Sequence, residues 1–185
     1  TTDWAGETYL NLVWQDKMVS GILKAFISTF IVVLVLMIIL FKSLRWALLA
    51  ILPLSATILL VYGVIGFSGK DYDMPIAVLS TLVLGIAIDF AIHFIQRYRQ
   101  LSEEEGGSVG LALGRVYEEP ARAITKNALI VALGFVPMFL ASLTPYIIVG
   151  IFMASIMVLS WVVSLALLPS IISLFGKVGT KEIAD

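Results

Sequence analysis

The sequence predicts an all-α integral membrane protein: five transmembrane helices, an interfacial helix ahead of them, and an amphipathic elbow between the third and fourth spans. Three observations carry that prediction. The chain of 185 residues is 60% hydrophobic, with a mean hydropathy of +1.03, whereas soluble domains are about 45–50% apolar even with Gly counted. Several apolar stretches reach the ~20 residues that cross a bilayer at ~1.5 Å rise per residue. Short polar turns separate them.

The same composition excludes several function classes. A net charge of −1 gives no basic stripe for nucleic acid. With no Cys, disulfides, thiolate nucleophiles and Cys-ligated metals are out. The sequence holds no GxxxxGK[ST] phosphate loop, no HExxH zinc pair and no GxSxG nucleophile elbow. One His leaves little for a metal site or a catalytic triad. The expectation is no enzyme, no cofactor and no metal.

Residues 1–18 read as the end of an extracytoplasmic region followed by an interfacial helix. In WAGETYLNLVWQDKM, Leu10, Val13 and Trp14 share a helical face, and Trp4, Tyr9 and Trp14 suit the headgroup level. The opening TTDWAGETYL, without an initiator Met or a signal-peptide pattern, reads as cut from something longer.

The transmembrane bundle is expected over 19–175. Its first span is about 20–41, with Lys24 able to snorkel. KSLR turns the chain into a second span at 46–67, where Pro53 predicts a kink. SGKDYD is a polar turn, and Pro75 suits the first turn of the third span, 74–97. Glu103–Glu105 with Gly106 and Gly107 read as a solvated loop. Leu111, Val116 and Ile124 among charged residues then predict a surface elbow over 108–122. The fourth span, 124–143, is softened by Gly134 and Pro137. The fifth, 146–173, ends near Pro169, and 176–185 form a polar tail.

Charge sets the expected orientation, because basic residues gather on the cytoplasmic side. One side carries Lys42, Arg45, Arg97, Arg99, Arg115, Arg122, Lys126, Lys177 and Lys181; the other carries Lys17, Lys24 and Lys70. The N-terminus is therefore expected outside and the C-terminus in the cytoplasm of a multi-pass cell (inner) membrane protein.

The chemistry lies in the third span, MPIAVLSTLVLGIAIDFAIHFIQR. Asp89 stands inside it, and a carboxylate there costs about 2.5–3.5 kcal/mol on insertion scales. It lies eight residues before Arg97, ~12 Å from that end of the helix, too deep for its short side chain to reach the headgroups. Steps of four residues keep Thr81, Gly85, Asp89 and His93 close to one face. Small residues let another helix approach, and polar ones must face protein or water. Desolvation disfavours the charged carboxylate, so Asp89 is a candidate proton carrier, with His93 one turn nearer the basic end to pass the proton on. The alternatives are a structural carboxyl hydrogen-bonded to a neighbouring Ser or Thr, and a packing histidine. Thr125 and Asn127 open the fourth span and are candidate contacts from the cytoplasmic side; an ordinary polar helix start explains them equally. Ser155, Ser160 and Ser164 are weak candidates.

LGIAIDFAIHFIQRYRQ, the elbow, ITKNALIVALGFVPMFLASLTPYIIVG and the ending SLALLPSIISLF together resemble the resistance–nodulation–division (RND) superfamily, nearest its MMPL and hopanoid-type lipid exporters. The five-span block is also similar to a sterol-sensing domain. The resemblance covers the chain from about Gly6. It implies one half of an RND transmembrane domain, lacking its first span and porter domain, with Asp89 at the family's proton-relay position. In mycobacterial lipid exporters a Tyr follows that Asp and in drug-efflux members a second Asp does; here Phe90 stands there. The expected function is the membrane portion of a proton-motive-force-driven exporter of lipids or other hydrophobic molecules. Its expected partners are that cargo, protons, and the other transmembrane half or a second copy. The rival readings are a sterol-sensing-like module that binds lipid or a partner without pumping, and an assembly or translocation accessory segment.

Overall fold

The computed structural model describes the backbone of residues 7–67, 74–118 and 120–182, and side chains chiefly over 23–64, 84–118 and 120–174. Six α-helices follow one another: α1 (Glu7–Phe41), α2 (Leu44–Phe67), α3 (Met74–Glu104), α4 (Val109–Glu118), α5 (Pro120–Gly134) and α6 (Thr144–Glu182), with a 3-10 turn at Val136–Leu140 between the last two. Among the described residues there is no strand. Among the described residues, four stretches are long and apolar enough to cross a membrane: Leu23–Phe41, Leu44–Val64, Pro120–Leu140 and Thr144–Leu174. The fifth long helix, α3, runs through the middle of the bundle and touches each of the other five helices.

The interfacial helix and first span form one helix rather than two, because no Pro interrupts 7–41 and Gly21 alone is a weak break. Trp4 and the SGKDYD turn lie outside the described residues. At the basic end, α1 stops at Phe41 and Lys42 takes a left-handed φ of 51°, the usual device for ending a helix. The Ser43 carbonyl then accepts the Ala47 N–H at 3.1 Å to start α2. Arg99 of α3 clamps this turn. Its guanidinium donates to the Phe41 carbonyl at 3.1 Å, satisfying one orphan acceptor of the helix end, and sits 5.8 Å from the Trp46 ring centre.

Helix α3 outlasts the expected span, ending at Glu104, because QRYRQLSEE continues without a breaker. Gly106 and Gly107, at φ 61° and 84°, then supply the left-handed conformations that reverse the chain. The elbow buries Ala112 and Val116 at i, i+4, while Leu111 stays exposed. Arg115 ties α4 to the end of α3 through Glu105 at 2.7 Å and Glu104 at 3.3 Å. The Glu105 carboxylate pushes the Arg115 pKa up.

Two boundaries differ from the expectation for the same physical reason: proline acts locally. Pro120 opens α5 rather than lying inside the elbow, since its missing N–H costs nothing at a first helical position. Pro169 does not end α6 but lies within it. A proline inside a helix leaves the carbonyl four residues back without its donor, here Leu165. The Tyr117 hydroxyl of α4 donates to that oxygen at 2.7 Å. Leu168 and Ile172 on either side are buried, so packing holds the helix past the proline.

The core gathers where α3 meets α2 and α6: Leu54, Leu84, Ala87, Phe90, Phe94, Ile95, Ile156 and Leu168 are fully or almost fully buried. By contrast, α1 exposes Ile27, Ile31, Val35 and Ile39 along its outer side, as a lipid-facing helix does.

Candidate functional site

The polarity of α3 is divided by its helical pitch. Ala87, Ile88, Ala91, Phe94, Ile95 and Tyr98 turn into the bundle and are buried. Gly85, Asp89, His93, Gln96 and Gln100, spaced by four or three residues, form a stripe that the chain leaves open or half-covered. Asp89 and His93 come together on it, Oδ1 and Nε2 3.4 Å apart, with side chains about half exposed (49% and 58%). That separation is ion-pair range but long for a hydrogen bond.

The Arg99–Phe41 bond gives the level of the pair in the bundle. Phe41 ends the first membrane-length stretch, and Arg99 of α3 is bonded to it. Asp89 is ten residues away, ~15 Å along the axis, or about half of a ~30 Å hydrocarbon core.

Below the pair opens a groove of about 440 Å³, lined by Phe90, His93, Gln96, Arg97 and Gln100 of α3 and by Pro120, Ala123, Ile124 and Asn127 of α5. At its mouth Arg97 donates to the Gln100 side-chain oxygen at 2.7 Å, and the Gln100 amide donates to Glu104 at 3.3 Å.

The other expected site residues fall in different places. Asn127 lines the groove facing His93's helix. Thr125 turns away: its hydroxyl donates to Ala121 at 2.7 Å and accepts the Trp161 indole N–H of α6 at 3.0 Å. Phe90 is not on the open stripe but in the core, 2% exposed, and forms a wall of the groove. Gly85 is exposed, and a Cβ built on it meets nothing within 4 Å; among the described residues no helix uses its smallness to approach. Thr81 belongs to α3, but its side chain is outside the described residues.

Sequence reasoning gave little weight to Ser160, yet its buried hydroxyl donates to the Ala87 carbonyl at 2.7 Å, tying α6 to α3 two residues before Asp89. Ser164, one turn on, is fully buried, and among the described residues its Oγ has no partner. Ser155 is exposed. No period or motif singles out Ser160 from its neighbours; only the packing of α6 on α3 does.

The sequence model of the MMPL family matches residues 5–184, nearly the entire chain. The chain belongs to the MMPL family. That places it in the RND superfamily that its third and fourth spans resemble. An apo-petrobactin exporter of Bacillus anthracis is 30% identical over 83% of this chain and 21% of its own length. The probable transport protein MmpL12 of Mycobacterium tuberculosis is 25% identical over 83% of the chain and 14% of its own length. A membrane protein of Methanocaldococcus jannaschii is 28% identical over 76% of the chain and 36% of its own length. The chain therefore spans only about a third or less of these relatives.

Proposed function

We propose that this chain is the membrane portion of a proton-driven exporter of lipids or other hydrophobic molecules, with Asp89 as its proton carrier and no enzymatic step. One observation carries the reading: a carboxylate and an imidazole 3.4 Å apart, ~15 Å along α3 from the level where the first membrane-length stretch ends, on a face this chain leaves open. An uncovered charge at that depth is costly against hydrocarbon, and a carboxyl that alternates between protonated and ionised forms has a reason to be there. The names of two relatives, an exporter and a transport protein, support transport. The cargo in one of those names, apo-petrobactin, makes small-molecule export the first alternative to lipid.

In this reading the part of the stripe at Gly85 and Asp89 is covered by a second set of transmembrane helices, the other half of the transporter or a second copy, while the groove below it stays open. Gly85, with nothing near its missing Cβ, is where such a helix would come closest. Protonation of Asp89 removes the charge, lowers the cost of apposing the two surfaces, and so biases how they pack; deprotonation reverses it. Movement reaches α6 through the Ser160–Ala87 bond. The N-terminus faces outward and the C-terminus the cytoplasm of the cell membrane, as the basic residues indicate.

The test is gradient-driven export of a fluorescent lipid by the full-length protein in liposomes. Asp89→Asn, which keeps the shape and removes the titration, is expected to abolish the gradient-driven component while the protein remains folded. An unchanged rate refutes the proton-carrier role. If Asp89→Asn retains lipid binding but the wild type shows no gradient-driven transport, the chain is a lipid-binding membrane module instead.

A further inference from the structure

The groove between α3 and α5 poses a separate problem from the pair above it. Its mouth, at Arg97 and Gln100, lies at the level where the first span ends. His93 lies six residues or ~9 Å deeper by helical rise, and the groove ends against Phe90 just beyond it. Over that distance it presents the polar side chains of His93, Gln96, Arg97, Gln100 and Asn127. Arg97 donates to Gln100, and Gln100 in turn to Glu104. Among the described residues, the side-chain amides of Gln96 and Asn127 have no hydrogen-bond partner in the chain, and both are exposed.

Unpaired amides do not persist in hydrocarbon, where nothing replaces the lost bonds and each such group costs several kcal/mol. A groove with polar groups along its whole length, open at the membrane boundary and roomy enough for several waters of roughly 30 Å³ each, is a place for water. We infer that it is a hydrated inlet joining the Asp89–His93 pair to the aqueous phase at the basic end of the bundle. Gln96 and Asn127, facing it from opposite walls, are its positioning residues. Each amide both donates and accepts, so the two side chains orient a water chain without themselves titrating. Phe90 and Ile124 form the apolar side of the channel. Asp89 then exchanges protons with the cytoplasmic side through His93 and this water, and not through lipid. The inlet deepens the proton-carrier reading, but the presence of water in it can be measured without transport.

The chain contains no Cys, so single cysteines report cleanly. The experiment places Gln96→Cys, Ala123→Cys, Asn127→Cys or Leu129→Cys, one at a time, in the full-length protein with no other cysteine, and reacts intact vesicles with a membrane-impermeant methanethiosulfonate supplied from the cytoplasmic side. Leu129 is exposed on the same helix at nearly the depth of Asn127 but does not line the groove. Since only a hydrated thiol ionises and reacts, positions 96, 123 and 127 are expected to label at least about tenfold faster than position 129. Ala123→Cys changes side-chain size least and guards against a misfolded result at the other two positions.

Labelling at all three no faster than at 129 overturns the inlet, whether a partner helix or lipid fills the groove. The double variant Gln96→Leu with Asn127→Leu is expected to slow gradient-driven transport at least about tenfold, with labelling at 123 reduced in parallel; transport and labelling both unchanged would contradict the assigned residues. The two readings fail separately. Fast labelling with an inert Asp89→Asn exchange leaves the inlet standing and removes the proton carrier. Slow labelling with a transport-dead Asp89→Asn does the opposite.

Discussion

Removing one hydroxyl, by Tyr117→Phe, tests how the elbow holds the last helix at its proline. Pro169 lacks an N–H, so the Leu165 carbonyl has no intrahelical donor, and the Tyr117 hydroxyl supplies one at 2.7 Å. A neutral hydrogen bond contributes about 0.5–1.5 kcal/mol, and an orphaned buried carbonyl costs about 1–3. Tyr117 is 47% exposed, so water reaches the site and the lower range applies: about 1 kcal/mol. The decisive experiment is a double-mutant cycle with Pro169→Ala, which restores the N–H at position 169 and gives Leu165 an intrahelical partner. In that background Tyr117→Phe is expected to cost less than about 0.3 kcal/mol, leaving a coupling of roughly 0.7 kcal/mol. Detergent-induced unfolding followed by helicity reads all four proteins. Equal costs in both backgrounds refute the proposed link between the proline and the tyrosine. The bond also has a pH signature. Burial pushes the Tyr117 phenol above its ordinary 10.0, so its contribution is fully present below that value and falls as pH rises through the folded pKa. In the same assay, the cost of Tyr117→Phe should be constant from pH 6 to 9; one that shrank across that range would contradict the phenol's role as donor.

Three further changes probe the bundle by the same unfolding measurement. Gly150→Ala puts a Cβ 2.8 Å from the Met138 Cβ and 3.1 Å from the Phe139 ring, a clash that forces backbone to move, so about 1–3 kcal/mol of destabilisation is expected; a neutral result would mean that α6 and the 3-10 turn do not pack this closely. Ser164→Ala removes a buried hydroxyl with no partner and is expected to be neutral to stabilising by about 1 kcal/mol, whereas a clear loss would reveal a bond to Ser164. Arg99→Ala removes both the bond to Phe41 and the contact over Trp46, and is expected to cost about 2 kcal/mol, with Arg99→Lys recovering only part; full rescue by Lys would show that charge alone suffices.

The fold class was legible because bilayer spans advertise themselves by length and apolarity. Two of the ends that differ lie at prolines. Pro169 reads locally as a stop, and only Tyr117, 48 residues earlier in the chain, explains why α6 continues. Pro120 reads as part of an amphipathic run, and only its role as a first helical residue separates α4 from α5. Within the site, Asp89 and His93 were legible because spacing by four is an intrahelical fact. Asn127 and Thr125 are two residues apart and so on different faces; sequence offered both, while the packing of α5 sends one to the groove and the other to Trp161. Ser160 and Arg99 act through backbone carbonyls of other helices, and backbone acceptors leave no mark in a sequence.

The central claim is that Asp89 itself gains and loses a proton during transport. The most direct measurement is infrared difference spectroscopy of the reconstituted full-length protein, acidic minus neutral, for wild type and Asp89→Asn. The account predicts a protonated-carboxyl C=O band that appears on acidification in the wild type and is missing from Asp89→Asn. Identical difference spectra for the two proteins would contradict it.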